Sequence, residues 1–352
     1  MQKNVAVLYD RRMLNHLTPS GHSERPERLS AVVSRLERGH IWSRLVHAPA
    51  PAITRDAITR VHDEAVLDRA EKLSAAGGGI LDHGDTFASP GSWEAAQMAA
   101  ACSIGAVDAV MGGRAGAAMA LVRPPGHHAT PHESMGFCIV NNVAIAAAHA
   151  LEVHGLARVL VIDFDVHHGN GTQDAFYEDP RVLFFSSHQY PAYPGTGSLG
   201  ETGCGAGAGY TINVPVPYGV GDMGYARIMD EVLVPAADRF RPELVLVSAG
   251  YDAHWRNAPY VQGIDERVSI GAFVSISQTL RAISDRHCPG RLAAVLEGGY
   301  DLDALGCGVA ATLGAWLGDE HYDDPIGPSP RAPRDSAIDP VIAAVRSLHN
   351  LD

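Results

Sequence analysis

The chain has 352 residues, 46% of them hydrophobic and 19% charged, a composition typical of a globular protein that can bury a sizeable core. No stretch approaches the roughly 20 uninterrupted apolar residues that a membrane span requires, so the sequence excludes a transmembrane protein. The 27 Lys and Arg against 40 Asp and Glu give a net charge of −13, which disfavours nucleic acid and mildly favours a cationic substrate.

The cysteines and the first residues bear on the cellular compartment. Five widely spaced cysteines without a C-x-x-C pair predict neither a disulfide framework nor a thiolate metal site. The first apolar run, residues 5–8, is too short for the core of a signal peptide and predicts a strand instead. We therefore expect a cytoplasmic protein.

The predicted elements alternate between short apolar runs and longer helical stretches. Apolar runs of this length without alternation favour strands buried on both faces, as in a parallel sheet. In chain order, strands are predicted at residues 5–8, 118–122, 159–162, 182–185, 244–247 and 292–296, and helices at 92–111, 141–154, 222–240, 265–285 and 301–317. The alternation indicates an α/β fold with a mostly parallel central sheet and helices on both faces.

The end of the chain differs in composition from the rest. Prolines at 325, 328, 330, 333 and 340 predict a surface excursion that begins near residue 322. Residues 341–348 then have helical spacing, so we expect this helix to dock on the body of the protein. Since no long linker precedes residue 322, we expect residues 1–352 to form a single domain.

Acid and imidazole groups follow the strand predicted at residues 159–162. Asp163, Asp165 and His167 are spaced by two, which points their side chains to one face at the carboxyl end of the strand, where open α/β sheets bind ligands. Oxygen and nitrogen donors suit zinc or ferrous iron, and Asp252 occupies the equivalent place on another strand. The sequence predicts a metal site here, although capping of the strand end is an alternative role for these residues.

Two further segments carry candidate catalytic groups. His127 and His128 follow a predicted strand, and a pair of imidazoles beside a metal-bound water can supply a general base and a general acid. Tyr300 follows the strand predicted at 292–296 and two glycines, and its hydroxyl can donate to a developing oxyanion. The alternatives are a surface turn for the histidines and simple packing for the tyrosine.

Taken in order, the motifs of the chain resemble those of the histone deacetylase family, in particular the bacterial class II-like deacetylases and the acetylpolyamine amidohydrolases. The matching segments are ERPERL at 24–29, DTFASPGSWEAA at 85–96, PGHHA at 125–129, GFC at 136–138, DFDVHHGNG at 163–171, YPGTG at 193–197, GYD at 250–252 and EGGY at 297–300. The resemblance covers nearly the whole chain and implies an arginase-like α/β fold.

The resemblance also implies roles for individual residues. It implies a single zinc held by Asp165, His167 and Asp252, with Asp163 orienting His127, Asn170 orienting His128, and Tyr300 polarising the substrate carbonyl. Substrate contacts are implied for Arg28, Asp85, Gly136, Phe137, Tyr193 and Gly298, of which Phe137 and Tyr193 would line a narrow acyl tunnel, Asp85 would lie at its rim and Arg28 near an acetate-release pocket. Potassium is implied near Asp163, Asp165, His167, Ser186 and Ser187, and again near Phe176, Asp179, Val182 and Tyr210.

The activity implied is hydrolysis of an acylated lysine or polyamine to a carboxylate and a free amine. One departure concerns the rim, since Asn257-Ala258-Pro259 stands where the family usually has Asp-Pro-Leu. The competing hypotheses are a catalytically silent module that binds acylated amines and a two-manganese ureohydrolase, which would need an Asp where this chain has Gly169. The sequence leaves the oligomeric state open, including a homo-oligomer.

Overall fold

A computed structural model describes residues 4–351, so residues 1–3 and 352 of the predicted domain range lie outside the described residues. A parallel sheet of eight strands forms the centre of the molecule, in the order β2-β1-β5-β10-β9-β6-β7-β8. The strands are β1 (Val5–Leu8), β2 (Val46–His47), β5 (Ala117–Ala120), β6 (Val159–Asp163), β7 (Val182–Gln189), β8 (Thr211–Val216), β9 (Leu244–Ala249) and β10 (Leu292–Leu296). A separate antiparallel pair consists of β3 (Gly79–Ile80) and β4 (Phe87–Ala88).

Helices pack around this sheet. They are α1 (Glu27–Arg38), α2 (Arg55–Thr59), α3 (Glu64–Ala75), α4 (Ser92–Met111), α5 (Asn142–Glu152), α6 (Asn170–Phe176), α7 (Asp222–Ile228), α8 (Val234–Phe240), α9 (Ile270–His287), α10 (Leu302–Leu317) and α11 (Asp339–His349). A π-helical turn, Met229–Leu233, joins α7 to α8, so the helix predicted over 222–240 is three joined segments. The fold is the single α/β domain that the alternation predicts, and the prediction of the fold class is confirmed.

Strands β6, β9 and β10 are buried from end to end because they are apolar on both faces. Four of them, β5, β10, β9 and β6, are consecutive neighbours at the middle of the sheet. Since all run in one direction, their carboxyl ends lie side by side at one edge. The loops that follow them carry the predicted metal ligands, the tandem histidines and Tyr300.

Sequence periodicity missed several elements, of which α1 and β8 are the most instructive. The amphipathic helix α1 buries Leu29, Val32 and Leu36 on one face, and this spacing of three and four was a usable signal. Strand β8 mixes apolar residues with Thr211, Asn213 and Pro215, so no continuous apolar run marks it. Proline is compatible with this position because β8 is an edge strand of the sheet.

The last helix contacts the body of the protein. Helix α11 packs against β8 and the π-helical turn, with Ile342 and Val345 buried. Ahead of it, the Oδ1 atom of Asp335 accepts hydrogen bonds from the backbone N–H groups of Gly221 and Gly224 at 2.8 and 3.1 Å. Within residues 4–351, no helix combines the length and the apolar character that crossing a bilayer requires.

Candidate active site

Three buried acceptor groups converge at the carboxyl ends of β6 and β9. The Nδ1 atom of His167 lies 3.0 Å from Oδ1 of Asp165 and 3.1 Å from Oδ2 of Asp252. Asp165 and Asp252 are fully buried, and His167 is 6% exposed. Each residue offers one ligand atom to a common point, which is the arrangement expected of a three-ligand metal site with an open position.

The residues present fit a divalent cation. Oδ2 of Asp252 is buried without a hydrogen-bond partner among the described residues, and two carboxylates share this small volume. Two carboxylates buried in one small volume are stabilised by a cation held between them, so the cluster suits a cation. The oxygen and nitrogen donors match zinc or ferrous iron.

Glycines allow the backbone to approach these ligands closely. The N–H of Gly298 donates to Oδ2 of Asp165 at 2.8 Å, and a Cβ at Gly298 would overlap the carboxylates of Asp165 and Asp252. A Cβ at Gly250 would overlap the Asp165 carboxylate as well. Both positions therefore require glycine, and Gly298 supports the ligands from the β10 loop.

The tandem histidines lie beside this cluster and have different partners. Nδ1 of His127 lies 2.9 Å from Oδ2 of Asp163, whereas Nδ1 of His128 lies 2.8 Å from Oδ1 of Asn170. The two imidazole centroids are 4.0 Å apart. Oε2 of Glu297 accepts hydrogen bonds from the N–H groups of Gly126 and His127, which holds the histidine loop against the end of β10.

The partners separate the basicities of the two imidazoles. Burial lowers the pKa of His127, but the carboxylates of Asp163 and Asp165 outweigh burial and raise this pKa to about 10. Burial lowers the pKa of His128 well below 6.5, and the positive charges of His127 and His167 lower it further. In the metal-free protein at neutral pH, His127 is therefore the protonated member of the pair and His128 is neutral.

Tyr300 faces the metal cluster and the tandem histidines from the loop that follows β10. Burial raises the pKa of its hydroxyl well above 10, with the charge of Asp252 adding to the effect, so the phenol keeps its proton. Arg28 lies behind it, with its guanidinium 5.0 Å from the ring centroid and its Nε donating to the carbonyl of Gly299 at 2.7 Å. A second guanidinium nitrogen of Arg28 donates to the carbonyl of Glu297. Arg28 thus stabilises the backbone segment that leads into Tyr300.

Asn257 connects the loops after β9 and β10. Its Oδ1 accepts from the N–H groups of Tyr300 at 2.7 Å and Asp301 at 2.9 Å. Its Nδ2 donates to the carbonyls of Tyr251 at 3.1 Å and His254 at 3.3 Å. The residue that departs from the family pattern is therefore fully buried and positions the Tyr300 loop, a role that an amide can fill because it both donates and accepts.

A cleft of about 500 Å³ leads from the surface to these groups. His128, His167 and Tyr300 lie along it together with the predicted residues Asp85, Gly136, Phe137 and Tyr193. The ring of Tyr193 stands edge-on to His128 with centroids 5.0 Å apart, and that of Phe137 stands edge-on to Tyr300 at 5.9 Å. The structure therefore brings the aromatic residues and the polar catalytic candidates into one cleft.

The backbone around Phe137 is shaped to present its ring. Gly136 has φ +58° and Phe137 has φ +69°, both in the left-handed region. A Cβ at Gly136 would lie 2.6 Å from the ring of His128, so only glycine fits there. The N–H of Phe137 donates to Oγ1 of Thr86 at 2.9 Å, which stabilises this conformation.

The first group of predicted potassium residues includes two members of the metal cluster, Asp165 and His167. Ser186 is the register partner of Asp163 where β6 and β7 pair. The hydroxyl of Ser187 is buried and has no hydrogen-bond partner among the described residues.

The second group lies around the turn between α6 and β7. The carbonyl of Phe176 accepts from the N–H of Asp179 at 3.1 Å, and the carbonyl of Asp179 accepts from the N–H of Val182 at 3.3 Å. Tyr210 precedes β8, and its carbonyl accepts from the N–H of Phe184 at 2.9 Å.

Several residues of the cleft had no signal in the sequence. His22 stands edge-on to Phe137 with centroids 4.6 Å apart, and Tyr260, Val261 and Gln262 complete the other wall. They come from loops before α1 and after β9, where no strand end marks them. The positioning role of Asn257 could have been suspected from its departure from the family pattern.

A parallel sheet with buried acids, paired histidines and a tyrosine at its carboxyl edge defines an α/β enzyme of the hydrolase class. A sequence model of the histone deacetylase domain matches residues 22–316. The chain is 40% identical over 324 residues to histone deacetylase 10, chloroplastic, of Oryza sativa subsp. japonica, covering 86% of this chain and 72% of that protein. It is 39% identical over 289 residues to the histone deacetylase-like amidohydrolase of Pseudomonas aeruginosa, covering 80% and 73%.

A crystal structure of the HDA15 HD domain superposes with a TM-score of 0.87 at 33% identity, covering 98% of this chain and 94% of that one. The chain therefore belongs to the histone deacetylase family, a family of hydrolytic deacetylases.

Proposed function

We propose that the protein is a zinc-dependent amidohydrolase that removes acetyl or a related acyl group from an acylated lysine or polyamine. The observation that carries the proposal is the meeting of His167, His128 and Tyr300 along one cleft. Family membership supports the class of reaction. Water adds across the amide, so that its hydroxyl goes to the acyl carbon and a proton goes to the departing amine.

Asp165, His167 and Asp252 would hold the ion. A divalent ion bound there supplies a Lewis acid for the amide carbonyl and lowers the pKa of water. Fe²⁺ fits the same donors. The orphaned Oδ2 of Asp252 and the close approach of Gly298 support this assignment.

The side chains around the ion would transfer the protons that the hydrolysis requires. Neutral His128, which lines the cleft, accepts a proton from water and then returns it to the amine nitrogen as the carbon–nitrogen bond breaks. His127 carries a positive charge beside it, balanced by Asp163. The Tyr300 hydroxyl donates to the carbonyl oxygen as negative charge develops there.

The cleft favours a long, linear amine. Phe137 and Tyr193 offer apolar walls to a methylene chain, while Asp85 at the rim offers an acceptor to an N–H or ammonium group. Burial raises the pKa of Asp85 from 3.8, and the nearby Asp82 adds to this effect. A net charge of −13 also favours a cationic substrate.

Two potassium ions are part of the proposal. The unpartnered hydroxyl of Ser187 supports a site near Asp163, Asp165, His167 and Ser186. The carbonyl groups of Phe176 and Asp179, which belong to one turn, support a second site with Val182 and Tyr210.

The competing functions have less support. A ureohydrolase would need a carboxylate at position 169 for a second ion, but a Cβ at Gly169 would overlap Oδ2 of Asp163. A catalytically silent binding module would not require His127, His128 and Tyr300 together.

Replacement of the Tyr300 hydroxyl tests the proposal. Because a preorganised donor to an oxyanion contributes about 2.7–4 kcal/mol, we expect Tyr300→Phe to lower kcat roughly 100- to 1,000-fold while zinc binding persists. The assay measures free amine released from acetyl-lysine peptides, acetylputrescine and acetylspermidine by the zinc-loaded enzyme. Its matched control is Tyr193→Phe, which removes a phenol hydroxyl from the same cleft and should change kcat less than about fivefold. Full activity of Tyr300→Phe on every substrate would remove its assigned role.

A further inference from the structure

A second cluster of metal-ligating side chains lies on helices rather than at strand ends. It consists of Asp108 in the last turn of α4, His149 in the last turn of α5 and His154 just after α5. Nε2 of His149 lies 2.8 Å, and Nε2 of His154 lies 2.7 Å, from the same atom, Oδ1 of Asp108. Two imidazoles and a carboxylate therefore present one ligand atom each to a common point.

This cluster is distinct from the active site. The loop with the tandem histidines precedes α5, and the cluster lies at the other end of that helix. An α-helix rises 1.5 Å per residue, so the length of α5 separates the two places by about 16 Å. No residue is shared between this cluster and the catalytic cleft.

The convergence on one oxygen requires positive charge between the groups. If both Nε2 atoms carried lone pairs, they would face a carboxylate oxygen at hydrogen-bond distance and repel it. Either a proton on each Nε2 or one shared cation relieves this repulsion. Within residues 4–351, the remaining polar atoms of the cluster make no hydrogen bonds. These atoms are Nδ1 of His149, Nδ1 of His154 and Oδ2 of Asp108, so no other hydrogen bond in this part of the chain holds the three side chains in place.

The surrounding backbone also favours a cation. Helices α4 and α5 pack against each other, and both bring their carboxyl-terminal turns to the cluster. The carbonyl ends of helices carry partial negative charge, which attracts cations. This contribution is independent of the three side chains.

We propose that Asp108, His149 and His154 form a second metal site, for a divalent transition ion such as Zn²⁺, Co²⁺ or Ni²⁺. Two nitrogen donors and one oxygen donor suit these ions better than Mg²⁺ or Ca²⁺. The side chains are 29%, 11% and 25% exposed, so water completes the coordination. The ion joins the ends of α4 and α5 and stabilises the fold without entering the reaction.

Metal titration of crossed variants tests this proposal. Full-length protein freed of metal by chelation is titrated with Zn²⁺ by calorimetry, and bound metal is counted after dialysis. Wild type should bind two equivalents. His149→Gln and His154→Gln should each bind one and keep full deacetylase activity. The double variant D165N/D252N, which lacks two proposed catalytic ligands, should also bind one equivalent.

His287→Gln is the matched control. His287 ends α9 and its Nε2 lies 2.7 Å from Oδ1 of Asp238, but no second imidazole joins this pair. It should bind two equivalents, as wild type does. Two equivalents in both His149→Gln and His154→Gln, or none in D165N/D252N, would overturn the second site and leave a cluster held by hydrogen bonds alone. Failure at the catalytic site is distinguishable, because it would leave wild type with a single equivalent that His149→Gln removes.

Thermal unfolding gives a second readout. In the D165N/D252N background, Zn²⁺ should raise Tm because it binds only the folded protein. Adding His149→Gln should abolish that rise, and adding His287→Gln should preserve it. A rise that persists after His149→Gln would contradict the proposal even if the metal counts agreed with it.

Discussion

The two imidazoles of the proposed active site are adjacent in sequence, yet the regions around them differ. His127 faces the carboxylate of Asp163 and lies close to Asp165, whereas His128 faces the amide of Asn170 and borders the cleft. As a result, one ring is protonated at neutral pH in the metal-free protein and the other is neutral. The comparison teaches that the charges around two identical side chains, with Asp163 and Asp165 beside one and Asn170 facing the other, divide them into a charged ring and a neutral ring.

The largest expected effect comes from removing the ring that borders the cleft. Because His128 would both accept and return the proton, we expect His128→Ala to lower kcat by about 100- to 10,000-fold, and His127→Ala to lower it less. Steady-state kinetics of the zinc-loaded enzyme on an acetyl-lysine peptide measure both. His132→Ala is the control, since this exposed histidine pairs with Asp63 outside the cleft, and its activity should match wild type. A greater loss in His127→Ala would reverse the assignment.

The site was predictable from sequence wherever a strand leads directly into it. Asp165 and His167 lie on one face by the period of two, and Asp252 follows a neighbouring strand, so sheet geometry alone indicates that they meet. His22 and Tyr260 reach the cleft from loops whose paths depend on packing across the whole domain. No local pattern encodes such paths.

The fold shows the same division between local and distant determinants. Helix α4 was predicted at residues 92–111 and ends there, because its alanine-rich sequence leads directly into Gly112 and Gly113. Strand β8 escaped notice, since its pairing with β7 and not its composition makes it a strand. Asp108, His149 and His154 likewise converge only because α4 packs on α5.

A second test of the difference between the two histidines is to give His127 a neutral partner. Asp163→Asn keeps the shape of the side chain but removes the charge that holds the proton on His127, so its pKa should fall. Hydrogen bonds to charged groups contribute about 1.5–3 kcal/mol, and we expect kcat to fall roughly 10- to 100-fold. Kinetics and zinc content should be measured together, because Oδ1 of Asp163 also accepts from the N–H of Asp165 at 3.1 Å. An unchanged kcat at full zinc content would contradict a role for the charge on His127.

The smallest expected effect comes from a substitution that gives both histidines a carboxylate partner. Asn170→Asp places a carboxylate beside Nδ1 of His128, where the present distance to Oδ1 is 2.8 Å. The charge favours the protonated ring, so the pKa of His128 should rise. His128 acts as a base only when neutral, and activity therefore increases as the pH rises through its pKa. The acidic limb of the profile of kcat/KM against pH should move to higher pH in the variant.

The direction in which the acidic limb moves distinguishes an effect of charge on His128 from an effect of its hydrogen bond. Asn170→Ala removes the acceptor without adding charge, so it loses activity through a poorly oriented ring but leaves the acidic limb in place or moves it to lower pH. The wild-type bond to Asn170 raises the pKa of His128, although burial outweighs this contribution, which is why its loss cannot move the limb upward. An acidic limb at the same pH in wild type and Asn170→Asp would mean that His128 is not the base, whatever the effect on kcat. In that case the neutral ring beside the cleft would be a positioning group, and the difference between Asp163 and Asn170 would serve His127 alone.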